Sequence, residues 1–206
     1  MKRIWKFIKR TLDTIVILLF ALCLLFLGLT LYSAYFGLKS TDTDISQYEE
    51  YRNATLYGNK FMPSLNDLGD YQDIAFGQTE VYYTPFFISC SMNLFVQYSE
   101  EDYDLIKATA LEGRSLIAEA EYSYNGELIM LPTIEHRGYT LHAIELHPNT
   151  EPCNYVGFIG FDDVNHAICF LLYNDDDRDY IGKADEDPLT AMYKWLNKEF
   201  WWHTFK

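Results

Sequence analysis

Between Asp13 and Lys39 the chain has no charged residue, and Thr14–Phe36 (TIVILLFALCLLFLGLTLYSAYF) is almost wholly apolar. As a helix rising about 1.5 Å per residue it would be roughly 34 Å long, enough to cross a hydrocarbon core of about 30 Å. After this run the pattern breaks into short periodic segments. Asp73–Tyr83 and Phe86–Tyr98 read as strands separated by Thr84-Pro85. In the second, Ile88, Cys90, Met92, Leu94, Val96 and Tyr98 alternate with Ser89, Ser91, Asn93 and Gln97. That period of two predicts a sheet with one face on the core.

The remaining elements follow from caps and turns. Lys39–Asp44 (KSTDTD) reads as a polar spacer. Asp44 followed by Gln47 has the spacing of a capping box and predicts a helix over Ile45–Leu56. Pro63, Asn66, Asp67 and Gly69 make a structured turn. Ser99, with Glu100, Glu101 and Asp102 in the first turn, starts a helix over about Glu100–Glu112, and Gly113 stops it. Tyr103, Ile106 and Ala110 share its apolar face.

Asn125-Gly126 marks a hairpin turn. Leu128–Leu131 and Tyr139–Leu146 read as strands around the turn at His136-Arg137-Gly138. Val156–Phe161 and Ala167–Tyr173 form a further hairpin across Asp162–Asn165. Asp187-Pro188 supplies a cap and a first-turn proline for a helix over Leu189–Trp202, with Leu189, Met192, Tyr193, Leu196 and Phe200 as its stripe. Strands joined by hairpins rather than helical crossovers predict a mainly antiparallel sheet with about two packed helices, an α+β fold. The expected organisation is a basic cytoplasmic tail at 1–13 and a transmembrane helix at 14–36. A juxtamembrane spacer and helix at 37–60 would lead into an extracytoplasmic α+β domain at 61–206.

Charge sharpens this picture. Five basic residues (Lys2, Arg3, Lys6, Lys9, Arg10) precede the apolar run, whereas eleven Lys and Arg face twenty-nine Asp and Glu after it, a formal charge of −18. The basic side is expected in the cytoplasm and the acidic domain outside, in a single-pass cell-membrane protein. A body this negative repels phosphate backbones, which argues against nucleic acid as a partner. A cleavable signal peptide is the alternative to an anchor. Its apolar core is usually 7–15 residues, however, and the best cleavage position, after Ala34, has Tyr32 three residues back. Cys23 follows Leu22, where a lipid-modification box wants a small residue.

Candidate chemistry is sparse. Asp175, Asp177 and Asp179 alternate, and Glu186 is twelfth counted from Asp175, as in a calcium-binding loop. The sixth position holds Tyr180 where such loops need glycine, so a solvated strand-to-helix connection is the rival reading. His136, His142 and His147 lie near Glu135 and Glu145, but His142 and His147 would point to opposite strand faces, giving surface or edge-strand histidines. Cys90 and Cys169 read as small core residues, and Cys153, beside Pro152, as the candidate free thiol. Trp195, Phe200, Trp201, Trp202 and Phe205 read as a helix packing on the sheet, with an exposed partner-binding patch as the alternative. The chain contains no nucleophile elbow, phosphate-binding loop, dinucleotide fingerprint or zinc spacing.

FMPSLNDLGDYQDI (Phe61–Ile74) and CFLLYNDDDRDYIG (Cys169–Gly182) resemble an uncharacterised family of small membrane-anchored or lipoprotein-like extracytoplasmic proteins of Gram-positive bacteria. In that family a Met-Pro-x-Leu-x-x-Leu-Gly-Asp-Tyr motif precedes two strands. The resemblance implies a bacterial surface setting and brings no activity, and this chain departs from it in having a span and no lipid box. The expected function is a non-catalytic binding or interaction module held in the lipid bilayer through residues 14–36, with a protein as the candidate partner and no small-molecule ligand identified. The rivals are a cell-envelope hydrolase built from scattered Asp, His and Tyr, and an accessory subunit of a membrane complex.

Overall fold

The computed structural model describes residues 2–36, 38–55, 57–84, 87–118, 121–122, 129–144, 146, 155–175 and 187–205. Helix α1 (Lys2–Phe36) is continuous, so the basic segment is helical too. No glycine or proline between Lys2 and Thr14 interrupts it. Its apolar stretch Lys9–Tyr32 has a mean hydropathy of 2.9 and none of it is buried against the rest of the protein. It is long and apolar enough to cross a membrane, a property a signal sequence shares.

One residue later the chain enters β1 (Leu38–Asp42), where a polar spacer was expected. This strand pairs antiparallel with β2 (Asp73–Thr84), from Leu38 opposite Tyr82 to Asp42 opposite Gln78. Lys39, Ser40 and Asp42 suit the position because an edge strand keeps one side in water. The capping-box helix is also shorter than expected. Asp44 accepts from the Ser46 amide at 3.0 Å, but the Gln47 amide turns to Ser46 Oγ at 3.4 Å instead of reaching back. A 3-10 turn (Ile45–Gln47) then leads into α2 (Tyr48–Ala54).

Beyond these come α3 (Gly58–Phe61), a 3-10 turn at Leu65–Asp67, β3 (Phe87–Gln97) and α4 (Glu100–Ala110). The short strands β4 (Glu121–Tyr122) and β5 (Ile129–Met130) pair with each other. Then follow β6 (Thr133–His136), β7 (Tyr139–Ile144), β8 (Tyr155–Asp162), β9 (Ala167–Asp175) and α5 (Pro188–Glu199). The β6–β7 turn places Arg137 at φ 52° and Gly138 at φ 90°, the two positive angles a tight two-residue hairpin needs.

The main sheet has seven antiparallel strands in the order β1-β2-β3-β9-β8-β7-β6, and the fold is α+β. Two meanders, β1–β3 and β6–β9, are joined where β3 pairs with β9. The sheet is buried on both faces, which corrects the one-sided core expected from β3. Met92, Leu94 and Val96 join Phe76, Ile159, Phe161, Ile168, Phe170 and Leu172 under α2, α3 and α4. Their neighbour Phe95 points the other way, with Leu141, Phe158, Cys169, Leu171 and Tyr173, under α5 and the tail that follows it.

That second layer differs from its predicted form. Asp187 does cap α5, accepting from the Thr190 amide at 2.9 Å. The helix ends at Glu199, however, and residues 200–205 run on as an extended tail. Leu189 is exposed, while Trp195, absent from the predicted stripe, is buried. Ser89, Ser91 and Asn93, expected to face solvent, are buried because they hold this tail. Ser91 Oγ donates to the Glu199 carbonyl at 2.6 Å, the Asn93 amide donates to the Trp201 carbonyl, and Ser89 Oγ donates to Glu199 Oε2 at 3.4 Å. An extended tail leaves backbone acceptors that need partners, and the polar side of β3 supplies them.

Candidate functional site

On the α4 side of the sheet a cleft of about 210 Å³ opens between α4 and the Phe61–Tyr71 segment. That segment is held rigidly. Ser64 Oγ accepts from the Asn66 amide at 3.2 Å, and Gly69 takes φ 72°, a left-handed angle that glycine adopts without strain. Helix α2 clamps it from outside: Tyr48 donates its hydroxyl to the Pro63 carbonyl, Glu49 Oε1 accepts from the Leu65 amide at 2.7 Å, and Arg52 Nε donates to the Met62 carbonyl at 2.9 Å. The opposite wall is α4, started by Ser99, which accepts from the Asp102 amide at 3.2 Å. Tyr103 anchors this helix in the core, and Ile106 and Ala110 pack against it.

Phe170 and Tyr98, from the sheet, line the cleft with Leu68 and Ile106, and Asp67, Glu112 and Arg114 bring charge to it. Arg114 bridges the two walls. Its Nε donates to the Ala110 carbonyl at 3.1 Å and its Nη2 to the Phe61 carbonyl at 3.1 Å, while the guanidinium lies 5.1 Å from the Phe61 ring centroid. Burial lowers its pKa, with no neighbouring carboxylate acting to raise it. Among the described residues Arg114 forms no ion pair, so the cleft presents a half-buried cation whose anionic partner is not supplied by these residues. Neutral carbonyls satisfy part of the fork and leave its charge uncompensated.

A second polar cluster sits where α4 meets the β8–β9 turn. Tyr103 and Lys107 both donate to Asp163, and the Lys107 ammonium lies 5.5 Å from the ring centroids of Tyr103 and Phe161. Lys107 and then Tyr103 lower the Asp163 pKa, while burial and then Asp163 raise that of Tyr103. The pair is thus held as carboxylate and neutral phenol across the neutral range. It fastens the helix to the hairpin.

The sequence-predicted candidates are dispersed. Asp175 ends β9, its backbone paired with Ser89, and Asp177, Asp179 and Glu186 lie outside the described residues. Among the described residues no three His, Cys, Asp or Glu come together as metal ligands. His136 lies on the edge strand β6, one of the two placements expected for it, with its side chain buried against Tyr193 and Trp202. Burial, and secondarily the Arg137 charge, lower its pKa. His142 is half-buried on the opposite face, 5.7 Å from the Phe161 ring. His147 and Cys153 lie outside the described residues. Cys169 is buried and Cys90 half-buried, with burial pushing the Cys90 thiol up to about 11. The C-terminal rings pack on the sheet, but only Trp195 does so from the expected helix; Phe200, Trp201, Trp202 and Phe205 do so from the tail.

Sequence reasoning missed the cleft and Arg114. The available signal was a lone arginine immediately after a helix-stopping glycine in a strongly acidic domain. Compared with family models, curated proteins and solved structures, the chain matches none.

Proposed function

We propose that this protein is a single-pass, membrane-anchored, non-catalytic binding module, with its N-terminus in the cytoplasm and its acidic domain outside the cell. The ligand site is the cleft between α4 and the Phe61–Tyr71 segment, and the ligand is a small molecule carrying a carboxylate or phosphate. The observation that carries this reading is the uncompensated Arg114 guanidinium beside Leu68, Ile106 and Phe170. A partly desolvated arginine recognises a planar or tetrahedral anion through paired N–H donors, and the apolar walls would accept the rest of the ligand.

Acetate and inorganic phosphate, titrated into the full-length protein in detergent, test this. Either anion should raise the melting temperature in a saturable way, because a ligand that binds only the folded state stabilises it. Arg114→Gln should abolish the rise whatever its own starting stability. An equal rise in Arg114→Gln, or no rise in the parent protein, would overturn the reading.

A further inference from the structure

The charges around the cleft do not cancel one another. Arg114 brings a cation, and two carboxylates come from opposite walls. Asp67 closes the 3-10 turn at Leu65–Asp67, and Glu112 lies just beyond the last turn of α4. Among the described residues neither acid forms an ion pair or a side-chain hydrogen bond, with Arg114 or with any other group. No carboxylate offsets the burial that lowers the Arg114 pKa, so both acids stand off from the guanidinium within one cavity. A simple anion is therefore an incomplete occupant. The two carboxylates repel a further negative charge. The cleft also lies at the C-terminal end of α4, lined by Thr109 and Ala110, where backbone carbonyls favour a cation.

A molecule that offers a carboxylate to Arg114 and an ammonium to Asp67 and Glu112 answers all three charges. Size narrows the choice. The cleft's volume of about 210 Å³ is below the roughly 300–1,000 Å³ of sites for drug-sized ligands, so one small molecule must carry both charges close together. Leu68, Ile106 and Phe170 leave an apolar wall for a short side chain. Tyr98 adds a directional group. Its side chain is buried against the cleft, yet its hydroxyl has no hydrogen-bond partner among the described residues. A buried hydroxyl left unpaired is costly, and a polar ligand atom would relieve it. Burial, and then Tyr71, raise the Tyr98 pKa, so the hydroxyl stays neutral and able to donate. We propose that the cleft binds a free α-amino acid with an apolar side chain, its carboxylate on Arg114 and its ammonium on Asp67 and Glu112. This rests on the reading of Arg114 as an anion site and adds the second charge of the ligand to it.

Three probes titrated into the full-length protein in detergent test this through the melting temperature: L-leucine, its amine-free analogue 4-methylpentanoate, and its carboxylate-free analogue 3-methylbutylamine. L-leucine should reach its half-maximal rise at a concentration about tenfold below that of 4-methylpentanoate, the effect of one added charged hydrogen bond. 3-Methylbutylamine, which offers Arg114 nothing, should be weaker than L-leucine by at least as much. Asp67→Asn combined with Glu112→Gln should close the gap between L-leucine and 4-methylpentanoate. Both acids are exposed, so neither change disturbs the core. A 4-methylpentanoate midpoint at or below that of L-leucine, a response to 4-methylpentanoate alone, or a gap that survives the double substitution would overturn the amino-acid inference and leave the anion site standing. No response to L-leucine, 4-methylpentanoate or acetate would instead overturn the anion reading itself.

Discussion

The two faces of the sheet solve the same burial problem differently. Beneath α2, α3 and α4 the contact is apolar throughout, with Leu94, Val96, Ile159, Ile168 and Leu172 against Tyr48, Phe61 and Met62. The polar atoms at its edge are paired to backbone, as Arg52, Glu49 and Tyr48 show. Beneath α5 and the tail the contact is a mosaic of large rings and polar groups. Among the described residues, the buried side-chain atoms without a hydrogen bond are Asn93 Oδ1, His136 Nε2, Tyr139 OH and Trp195 Nε1, and all four belong to this layer. Each such atom costs on the order of 1–3 kcal/mol. Its rings offset part of this: Trp195 meets Tyr173 and Phe200 edge-on at 5.0 and 5.4 Å, a geometry worth about 0.5–1.5 kcal/mol per pair. The C-terminal layer is therefore the more conditional of the two.

Adjacent residues of β3 give the largest test. Leu94 and Phe95 are both fully buried, one in each layer. Leu94→Ala should cost about 2–5 kcal/mol and Phe95→Ala about 3–5 kcal/mol in denaturant melts of the full-length protein. A Phe95→Ala cost under about 1 kcal/mol would mean that the C-terminal layer is not packed as described. A subtler test uses the glycines that receive a ring from each layer. An added methyl at Gly77 would come within 2.6 Å of Trp201, and at Gly157 within 2.9 Å of Phe61. Each alanine substitution should cost about 1–3 kcal/mol. Because Trp201 sits on a tail rather than in a helix, Gly77→Ala should also raise protease sensitivity at the C-terminus, and Gly157→Ala should not.

The smallest effect is acid sensitivity. Both His136 and His142 have pKa values lowered from 6.5, mainly by burial, with Glu135 partly opposing this at His142. The folded state therefore prefers each neutral. Their contribution is complete above pH 6.5 and is lost as pH falls from there through the lowered folded values, by at most about 1.4 kcal/mol per pH unit for each proton. His136→Phe should flatten the decline in melting temperature between neutral pH and mild acid. An unchanged slope would show that His136 is not the group protonated on unfolding.

Much of the architecture could be read from one-dimensional pattern because it depends on local rules. The caps at Ser99 and Asp187, the turn at Arg137-Gly138 and the strands around Thr84-Pro85 each need only a few neighbouring residues. What escaped depends on partners far along the chain. Nothing within KSTDTD says that β2 lies beside it, and nothing in β3 says that its serines and Asn93 will receive a segment more than a hundred residues later. The cleft escaped for the same reason. Arg114 matters only because Phe61, fifty-three positions earlier, offers it a carbonyl and a ring.

The β3–β9 seam has a kinetic consequence. Gln97 meets Ala167 and Ser89 meets Asp175, so the centre of the sheet closes only after a further seventy or more residues have been synthesised. Until then the first meander carries β3 as an open edge of Met92, Leu94, Phe95 and Val96, a template for pairing with other chains. Pairings so distant in sequence make closure slow. Newly made copies close to one another would meet each other's unfinished sheets, and crowding during synthesis should set the yield of correctly assembled protein more strongly than the stability of the finished fold.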